Sequence, residues 1–376
     1  MDAFSSLPDP ILVLILKYLP DFTSLDVLIH ASPVMSSIFD RCAAEIIENV
    51  ASRNMSSCFR YILQHAGSAA VANETWSDVA EFHSAQTWSN PSKGVLKSLP
   101  IPVLRRLVTS ASNVEYLCHI FLHTHLHRIH SMKPTHLLHP GTRLDPYAVT
   151  KYDPALAGLK YSIPDTGPPS WVEIQRVLRA LWRLSTYYEL GFAMPLLQSK
   201  PGEQTKVQDL SYQDFWTHLP WWEIDEMECV YEHLIEIGEL DLFQPGNCAP
   251  LSRLPPGPLE NEDGSCRLSP VPQDDALGNK WGQSQEALQR KSPASHFFLS
   301  LCHRGPNVSS RVLGGATWQS FRRLGFGFWD LKRMSQLEMM NPPLNLHRDL
   351  TTSSMKQKPY TQDDLKFTWM SVLSNK

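Results

Sequence analysis

The feature that most constrains this chain is a short apolar helix that is predicted close to its start. Asp9 is expected to cap this helix, Pro10 occupies its first turn, and Pro20 stops it. At 100° per residue, only Lys17 interrupts an apolar circumference formed by Ile11, Leu12, Val13, Leu14, Ile15, Leu16, Tyr18 and Leu19. A helix with this pattern is either buried on every side or leaves an apolar surface exposed. Because a small module cannot enclose one of its own helices completely, we expect part of this surface to contact a second protein.

Two further helices are predicted before about residue 50. The second begins with a capping box in which Thr23 caps the N–H of Asp26, and its apolar positions are Leu25, Val27, Leu28 and Ile29. Ser32 and Pro33 then repeat the pairing of a cap with a proline. The third helix carries an amphipathic stripe with spacings of three and four residues: Met35, Ile38, Phe39, Cys42, Ile46 and Ile47.

This ordered set of three helices resembles the F-box domain. The pattern reads L-P-x-x-I-L-x-x-I-L-x-x-L, and after a gap L-x-x-L-x-x-x-S. The matching residues are Leu7, Pro8, Ile11, Leu12, Ile15, Leu16, Leu19, Leu25, Leu28, Ser32, Ile38 and Phe39. The sequence Ala31-Ser32-Pro33, with Phe39 and Arg41 following, is similar to F-box proteins of filamentous fungi.

The resemblance implies a substrate-recognition adaptor of a Skp–cullin–F-box ubiquitin ligase. Such a protein binds a Skp-type adaptor and, through it, a cullin scaffold, while the rest of its chain selects a protein substrate. It is not an enzyme and needs no cofactor, because its contribution is to hold the substrate near the ligase's reactive end. The residues expected to bind the Skp-type adaptor are Leu7, Pro8, Ile11, Leu12, Ile15, Leu16, Leu19, Leu25, Leu28 and Phe39.

The whole chain is predicted to be mainly α: an N-terminal three-helix F-box followed by an irregular, loop-rich helical domain. Helical patterns cover residues 96–129, 171–191, 221–242 and, with an interruption, 318–340, and Ser170 with Glu173 forms a predicted capping box. The predicted domains are an F-box at 1–50, a helical domain of unknown recognition at 51–243, a disordered Pro/Gly-rich insert at 244–293, and a helical extension with a polar tail at 294–376. No repeat of 20 to 50 residues is present, which excludes the recognisable substrate-binding arrays.

Composition excludes several classes of protein. With 34 Lys and Arg against 38 Asp and Glu, the net charge of −4 argues against a nucleic-acid binder. No apolar run approaches the roughly 18 residues of a membrane span, and no signal peptide is recognisable. The 7 cysteines are scattered without a CxxC pair, which fits a reducing compartment. We therefore expect no nucleic-acid or membrane partner, and a cytoplasmic or nuclear location.

Histidines form the sharpest local anomaly, at positions 119, 123, 125, 127, 130, 136 and 139. On a helix His119, His123 and His127 share one face, and paired imidazoles one turn apart are able to bind zinc. There is no HExxH motif, and we interpret the cluster as a solvated or partly packed face, so that no metal site is assigned.

A second anomaly is an acidic run at Glu223, Asp225, Glu226, Glu228, Glu232, Glu236 and Glu239. The favoured interpretation is a solvated helix face, and the alternative is a docking face for a basic substrate or for the basic stretch 304–333.

Two alternatives to the ligase adaptor stay open from the sequence. One is an F-box scaffold that binds the Skp-type adaptor without directing ubiquitination. The other is a histidine-cluster metal-binding enzyme. No phosphate-binding glycine loop and no nucleophile motif is recognisable, so we predict no catalytic residue.

Overall fold

The computed structural model describes residues 2–55, 95–134, 162–197, 219–237 and 322–337, with a few isolated positions between them. Within these ranges the regular elements are helices, which confirms the mainly α fold class. They are α1 (Asp9–Lys17), α2 (Phe22–Ala31), α3 (Pro33–Asn54), α4 (Val95–Ser98), α5 (Ile101–Ser131), α6 (Trp171–Leu197), α7 (Trp221–Glu236) and α8 (Leu331–Gln336). None of the described helices combines the length and apolar character needed to cross a membrane.

Several predicted segments lie outside the described residues. They include the insert at 244–293, most of the C-terminal extension at 294–376 and the two histidines at 136 and 139. In the described part, α7 ends at Glu236, earlier than the predicted end near residue 242. Of the helix predicted at 318–340, the structure describes residues 322–337, which form a turn at 323–328 and then α8.

The chain forms two compact units, each assembled from two stretches of sequence. One contains Met1–Ile120 and Ile174–Gln273, and the other contains Phe121–Glu173 and Asp274–Lys376. The domain boundaries predicted at residues 50, 243 and 293 follow composition and the family resemblance, and they stay predictions.

The first unit begins with a bundle in which α1 and α2 both pack on α3. Its core consists of fully buried apolar side chains on all three helices, including Leu12, Leu16, Phe22, Leu25, Ile29, Met35, Phe39, Ile46 and Ile47. Cys42 interrupts α3 with a non-helical backbone at φ −129° and ψ 18°. The long helix therefore bends at this position while it keeps one apolar stripe against the two shorter helices.

Two of the predicted helix caps are wrong. Pro8 is the N-cap of α1, because the N–H groups of Ile11 and Leu12 already bond its carbonyl at 2.9 and 3.2 Å. Asp9 therefore lies inside the first turn, where the positive end of the helix dipole still stabilises its carboxylate. In α2 the cap is Asp21, whose carboxylate accepts the Ser24 N–H at 2.6 Å, and it replaces the predicted capping box.

Two other caps are confirmed. The Ser32 hydroxyl accepts the N–H of Met35 at 3.1 Å at the start of α3. At the start of α6, the Ser170 N–H donates to the Glu173 carboxylate at 2.8 Å, and the Glu173 N–H donates back to the Ser170 hydroxyl at 3.4 Å. This reciprocal pair is the arrangement that defines a capping box.

The first unit also contains the most enclosed segment of the described chain, the part of α6 from Ile174 to Ser185. Every side chain in this segment is buried, including Gln175, Arg176, Arg179 and Arg183. The Gln175 side chain donates to the Asn54 carbonyl at 2.7 Å and so joins α6 to the end of α3. The single apolar face predicted from the sequence is thus only part of what α6 buries.

The second unit is organised around the buried guanidinium of Arg333. Its Nε donates to the Glu173 carboxylate at 2.8 Å, and its terminal nitrogens bind the carbonyls of Gly167 and Pro168 at 3.1 and 2.6 Å. The Asp330 N–H donates to the same Glu173 oxygen at 3.1 Å. Arg333 belongs to the basic stretch 304–333 of the sequence, and its guanidinium is hydrogen-bonded inside the fold.

Candidate protein-docking surface

The exposed face of α1 carries a row of large apolar side chains. Ile11, Leu14 and Tyr18 are 44%, 47% and 65% exposed, and their spacing of three and four residues places them on one side of the helix. Leu12 and Leu16, on the opposite side, are 1% and 0% exposed. Leu7, which precedes the helix, is 39% exposed. We call Leu7, Ile11, Leu14 and Tyr18 the docking strip.

The structure divides the predicted adaptor-binding residues into three groups. Leu7, Pro8 and Ile11 are exposed, and Ile15, Leu19 and Leu28 are half-buried. Leu12, Leu16, Leu25 and Phe39 are fully buried. These last four fill the core of the bundle, where they contribute to stability, and their side chains are not accessible at its surface in this structure.

Three large hydrophobic residues outside the predicted set are exposed on α1, at its C-cap or on α2. Leu14 and Tyr18 belong to the docking strip, and Val27 on α2 is 46% exposed. The sequence did contain the signal for the first two, because they are part of the apolar circumference of α1. To single out Leu14 and Tyr18 as the exposed residues, one must know which side of α1 faces α3, and the sequence pattern does not show this.

Ion pairs hold the charged residues around α1. Lys17 contacts the Glu45 carboxylate at 2.5 Å, and Arg41 contacts the Asp9 carboxylate at 2.8 Å. Both pairs connect α1 with α3. They are solvent-accessible, so each contributes at most about 1 kcal/mol to stability.

The residues ahead of α1 are anchored to the start of α3. The Asp2 carboxylate accepts the Phe4 N–H at 2.9 Å, the Ser32 hydroxyl at 2.6 Å and the Val34 N–H at 3.2 Å. The hydrogen bond from Ser32, followed by that from Phe4, lowers the pKa of the Asp2 carboxyl. This anchor sets the path of the chain that leads into Leu7.

A polar seam joins the three N-terminal helices to α5. The Glu115 carboxylate accepts the backbone N–H groups of Phe22 and Thr23, at 3.2 and 3.1 Å, and also the Thr23 hydroxyl at 3.1 Å. Glu115 therefore binds the N-terminus of α2, the position where a carboxylate is favoured by the helix dipole. Burial and the nearby charge of Asp21 raise the pKa of Glu115 to about 8.

The same seam continues along α5. The Thr109 hydroxyl donates to the Asp26 carboxylate at 2.8 Å, and Arg105 donates to the Asp40 carboxylate at 2.8 Å and to the Ser36 hydroxyl at 2.6 Å. The bundle is thus bonded to α5 from both α2 and α3. A partner held on α1 would be connected through these bonds to the rest of the first unit.

The acidic run of α7 is not a solvated face at its N-terminal half. Glu223, Asp225 and Glu226 are 8%, 6% and 2% exposed. Arg179 donates to Glu223 at 2.8 Å and also to Glu226, while Arg183 contacts Glu223 at 2.6 Å. Both the solvated interpretation and the docking alternative are therefore wrong for these buried carboxylates, and arginines of α6 neutralise Glu223 and Glu226 inside the first unit.

The histidine cluster does not converge on one point in the described residues. His125 is buried, its Nδ1 lies 2.8 Å from the Phe121 carbonyl, and its ring stacks on the Phe121 ring at 4.1 Å. His127 and His130 are exposed. Across the described ranges, no group of three or more His, Cys, Asp or Glu side chains is arranged to hold a metal ion.

Comparisons with known proteins leave the chain without an assigned relative. No family model matches it, no curated protein is significantly similar in sequence, and no solved structure is significantly similar in fold. The described residues define a mainly α-helical protein with an exposed apolar strip on its first helix.

Proposed function

We propose that this protein is the substrate-recognition adaptor of a Skp–cullin–F-box ubiquitin ligase and that α1 binds the Skp-type adaptor. The observation that carries the proposal is the docking strip on α1, whose apolar side chains are exposed opposite the buried pair Leu12 and Leu16. Large apolar side chains exposed together on one side of a helix are typical of protein–protein contact sites. The resemblance of residues 7–39 to an F-box supplies the identity of the partner.

The size of the strip indicates what kind of interface it would form. Complete burial of a large apolar side chain contributes about 1.5–3 kcal/mol, and the strip residues are only about half exposed in the free protein. The four side chains together would thus contribute roughly 3–6 kcal/mol, which is comparable to the cost of association itself. The strip therefore forms the centre of a larger contact, which the half-buried residues Ile15, Leu19 and Leu28 border.

The polar seam supports the proposed role mechanically. An adaptor raises the effective concentration of its substrate near the ligase only if the bound substrate is held within reach of the reactive end. Glu115, Arg105 and Thr109 bond α5 to the helices next to α1, so the docking surface is part of a larger folded unit. The proposal assigns substrate selection to the chain after α3.

The first test measures co-purification with a Skp-type adaptor. Leu14→Glu places a charge in the middle of the strip and is expected to abolish capture. Ile235→Glu is the matched control, because Ile235 lies on α7 and is 51% exposed, close to the 47% of Leu14. Equal capture by the wild type and the Leu14→Glu variant would exclude the strip as the docking surface.

A second measurement separates the ligase adaptor from a scaffold that binds the Skp-type adaptor alone. The assembled complex with a cullin is supplied with ubiquitin and the activating and conjugating enzymes, using proteins that co-purify with the wild type as substrates. Transfer that depends on Leu14 supports the adaptor function. Capture without any transfer to co-purified proteins would favour the scaffold.

A further inference from the structure

The basic side chains of the three N-terminal helices differ in the groups that they contact. Lys17 pairs with Glu45, Arg41 pairs with Asp9, and the His30 ring lies 3.5 Å from the Asp26 carboxylate. Arg53 has no carboxylate within ion-pair distance among the described residues. Its guanidinium carbon instead lies 4.1 Å from the centre of the Tyr18 ring.

This stacked pair stands at the C-terminal end of the docking strip. Tyr18 is the most exposed of the strip residues, at 65%, although one face of its ring is covered by Arg53. Stacking on an aromatic ring fixes the plane of a guanidinium, and a fixed guanidinium presents its N–H donors as a fork that fits a carboxylate. Tyrosine and arginine are also the side chains enriched among residues that dominate binding energy.

The position of Arg53 in the last turn of α3 offers a simpler explanation for its charge. A cation at the C-terminal end of a helix is favoured by the helix dipole. That effect accounts for a basic residue at this position, but it does not require the guanidinium to stack on an exposed tyrosine at the C-terminal end of α1. The two explanations predict different consequences when the charge is removed.

We propose that Tyr18 and Arg53 form the specificity-determining end of the docking strip and that they bind a carboxylate side chain bordering the apolar contact face of the Skp-type adaptor. This inference rests on the proposed function and adds the chemistry of one contact to it. The apolar part of the strip supplies buried area, whereas the charge-assisted hydrogen bonds from Arg53 fix the register of the partner along α1.

The experiment measures the affinity of the full chain for a purified Skp-type adaptor at low and at high salt. Arg53→Gln is expected to weaken binding roughly tenfold at low salt, as for the loss of one hydrogen bond to a charged group, and to reduce the salt dependence. Arg41→Gln is the matched control, since it removes the same charge from the same helix at a residue paired with Asp9. It is expected to bind as the wild type does.

Two more variants separate recognition from folding. Arg53→Lys keeps the charge at the end of α3 but loses the planar fork, and it is expected to bind almost as weakly as Arg53→Gln. Tyr18→Phe keeps the ring and should bind as the wild type does, whereas Tyr18→Leu should lose affinity. Thermal unfolding of each variant, measured in parallel, shows whether the fold is retained.

The outcomes distinguish the two proposals. If the wild-type chain does not bind the Skp-type adaptor, both are overturned. If it binds and Leu14→Glu abolishes binding, but Arg53→Gln or Arg53→Lys binds as tightly as the wild type, only the inference about Tyr18 and Arg53 is overturned. Equal losses in Arg53→Gln and Arg41→Gln would also overturn it, because they would show a general charge effect.

Discussion

Glu115 and Thr23 are joined twice, because the backbone N–H and the hydroxyl of Thr23 both donate to one Glu115 oxygen at 3.1 Å. This contact connects two helices that are far apart in the sequence. It also places a second carboxylate beside Asp21, which already caps α2. The first prediction follows from the cost of charging both groups at one helix end.

We expect the stability of this protein to fall with rising pH because of Glu115. Its pKa is about 8 in the folded chain and about 4.3 in an unfolded one, so the folded state holds the extra proton between these values. The stability that protonation of Glu115 contributes is fully present below the unfolded pKa, and it is lost as pH rises through 8. The slope would be up to about 1.4 kcal/mol per pH unit.

Glu115→Gln removes this titration and is the variant to compare. Urea unfolding of the wild type and of Glu115→Gln between pH 5 and 9 should show that the wild type weakens relative to the variant as pH rises. Parallel curves for the two proteins would show that Glu115 titrates near its ordinary pKa in the folded chain.

The two sides of α1 should respond differently to truncation. Leu16→Ala removes a fully buried side chain and is expected to cost about 2–5 kcal/mol of unfolding free energy. Leu14→Ala removes a half-exposed one and is expected to change stability by about 0.5 kcal/mol or less. Chemical denaturation measures both, and similar losses at the two positions would mean that the strip is buried in the free protein.

Because of the buried ion pairs between α6 and α7, we expect substitution of Arg179 to lower the stability of the protein strongly. Burial raises the pKa of Glu226, while the charge of Arg179 opposes that effect. Arg179→Met leaves the carboxylates of Glu223 and Glu226 buried without this cation, so it should cost about 3–5 kcal/mol. Adding Glu226→Leu should recover part of the loss in the same denaturation experiment, whereas a loss below about 1 kcal/mol in the single variant would contradict the buried arrangement.

Gly325 and Gly167 form a matched pair for a test of backbone conformation. Both have a positive φ, 70° and 72°, which costs an L-residue about 1–2 kcal/mol. A Cβ at Gly325 would lie 2.9 Å from the Trp329 ring and 3.2 Å from the His125 Cβ, whereas a Cβ at Gly167 meets nothing within 4 Å. Alanine should therefore lower the melting temperature more at Gly325 than at Gly167, and the reverse order would contradict this packing.

The part of the fold that the sequence predicts well is the part governed by local periodicity. The stripe of α3 is buried as predicted at Met35, Ile38, Phe39, Ile46 and Ile47, and the caps at Ser32 and Ser170 form. The prediction that α1 leaves apolar surface exposed agrees with the exposure of Ile11, Leu14 and Tyr18. Each of these conclusions needs only the spacing of residues within one helix.

What the sequence did not predict depends on contacts between helices. Arg176, Arg179 and Arg183 recur every three or four residues along α6, and this basic stripe is the sequence signal that matches the acids of α7. No rule of spacing states that α6 and α7 face each other, so the sequence alone favours a solvated face for the acidic run. The contact of Glu115 with α2 does not follow from local spacing for the same reason, since its partners lie more than 90 residues earlier.

The anchoring of Asp2 has a practical consequence for anyone who shortens this protein. Removal of residues 2–6 would strip the Ser32 hydroxyl and the Val34 N–H of their carboxylate acceptor and release the chain ahead of Pro8. Leu7 would then sample many orientations, and a truncated protein could fail in an interaction assay although its helices were intact. Negative binding results obtained with such a fragment would report on a lost tether and not on the chemistry of α1.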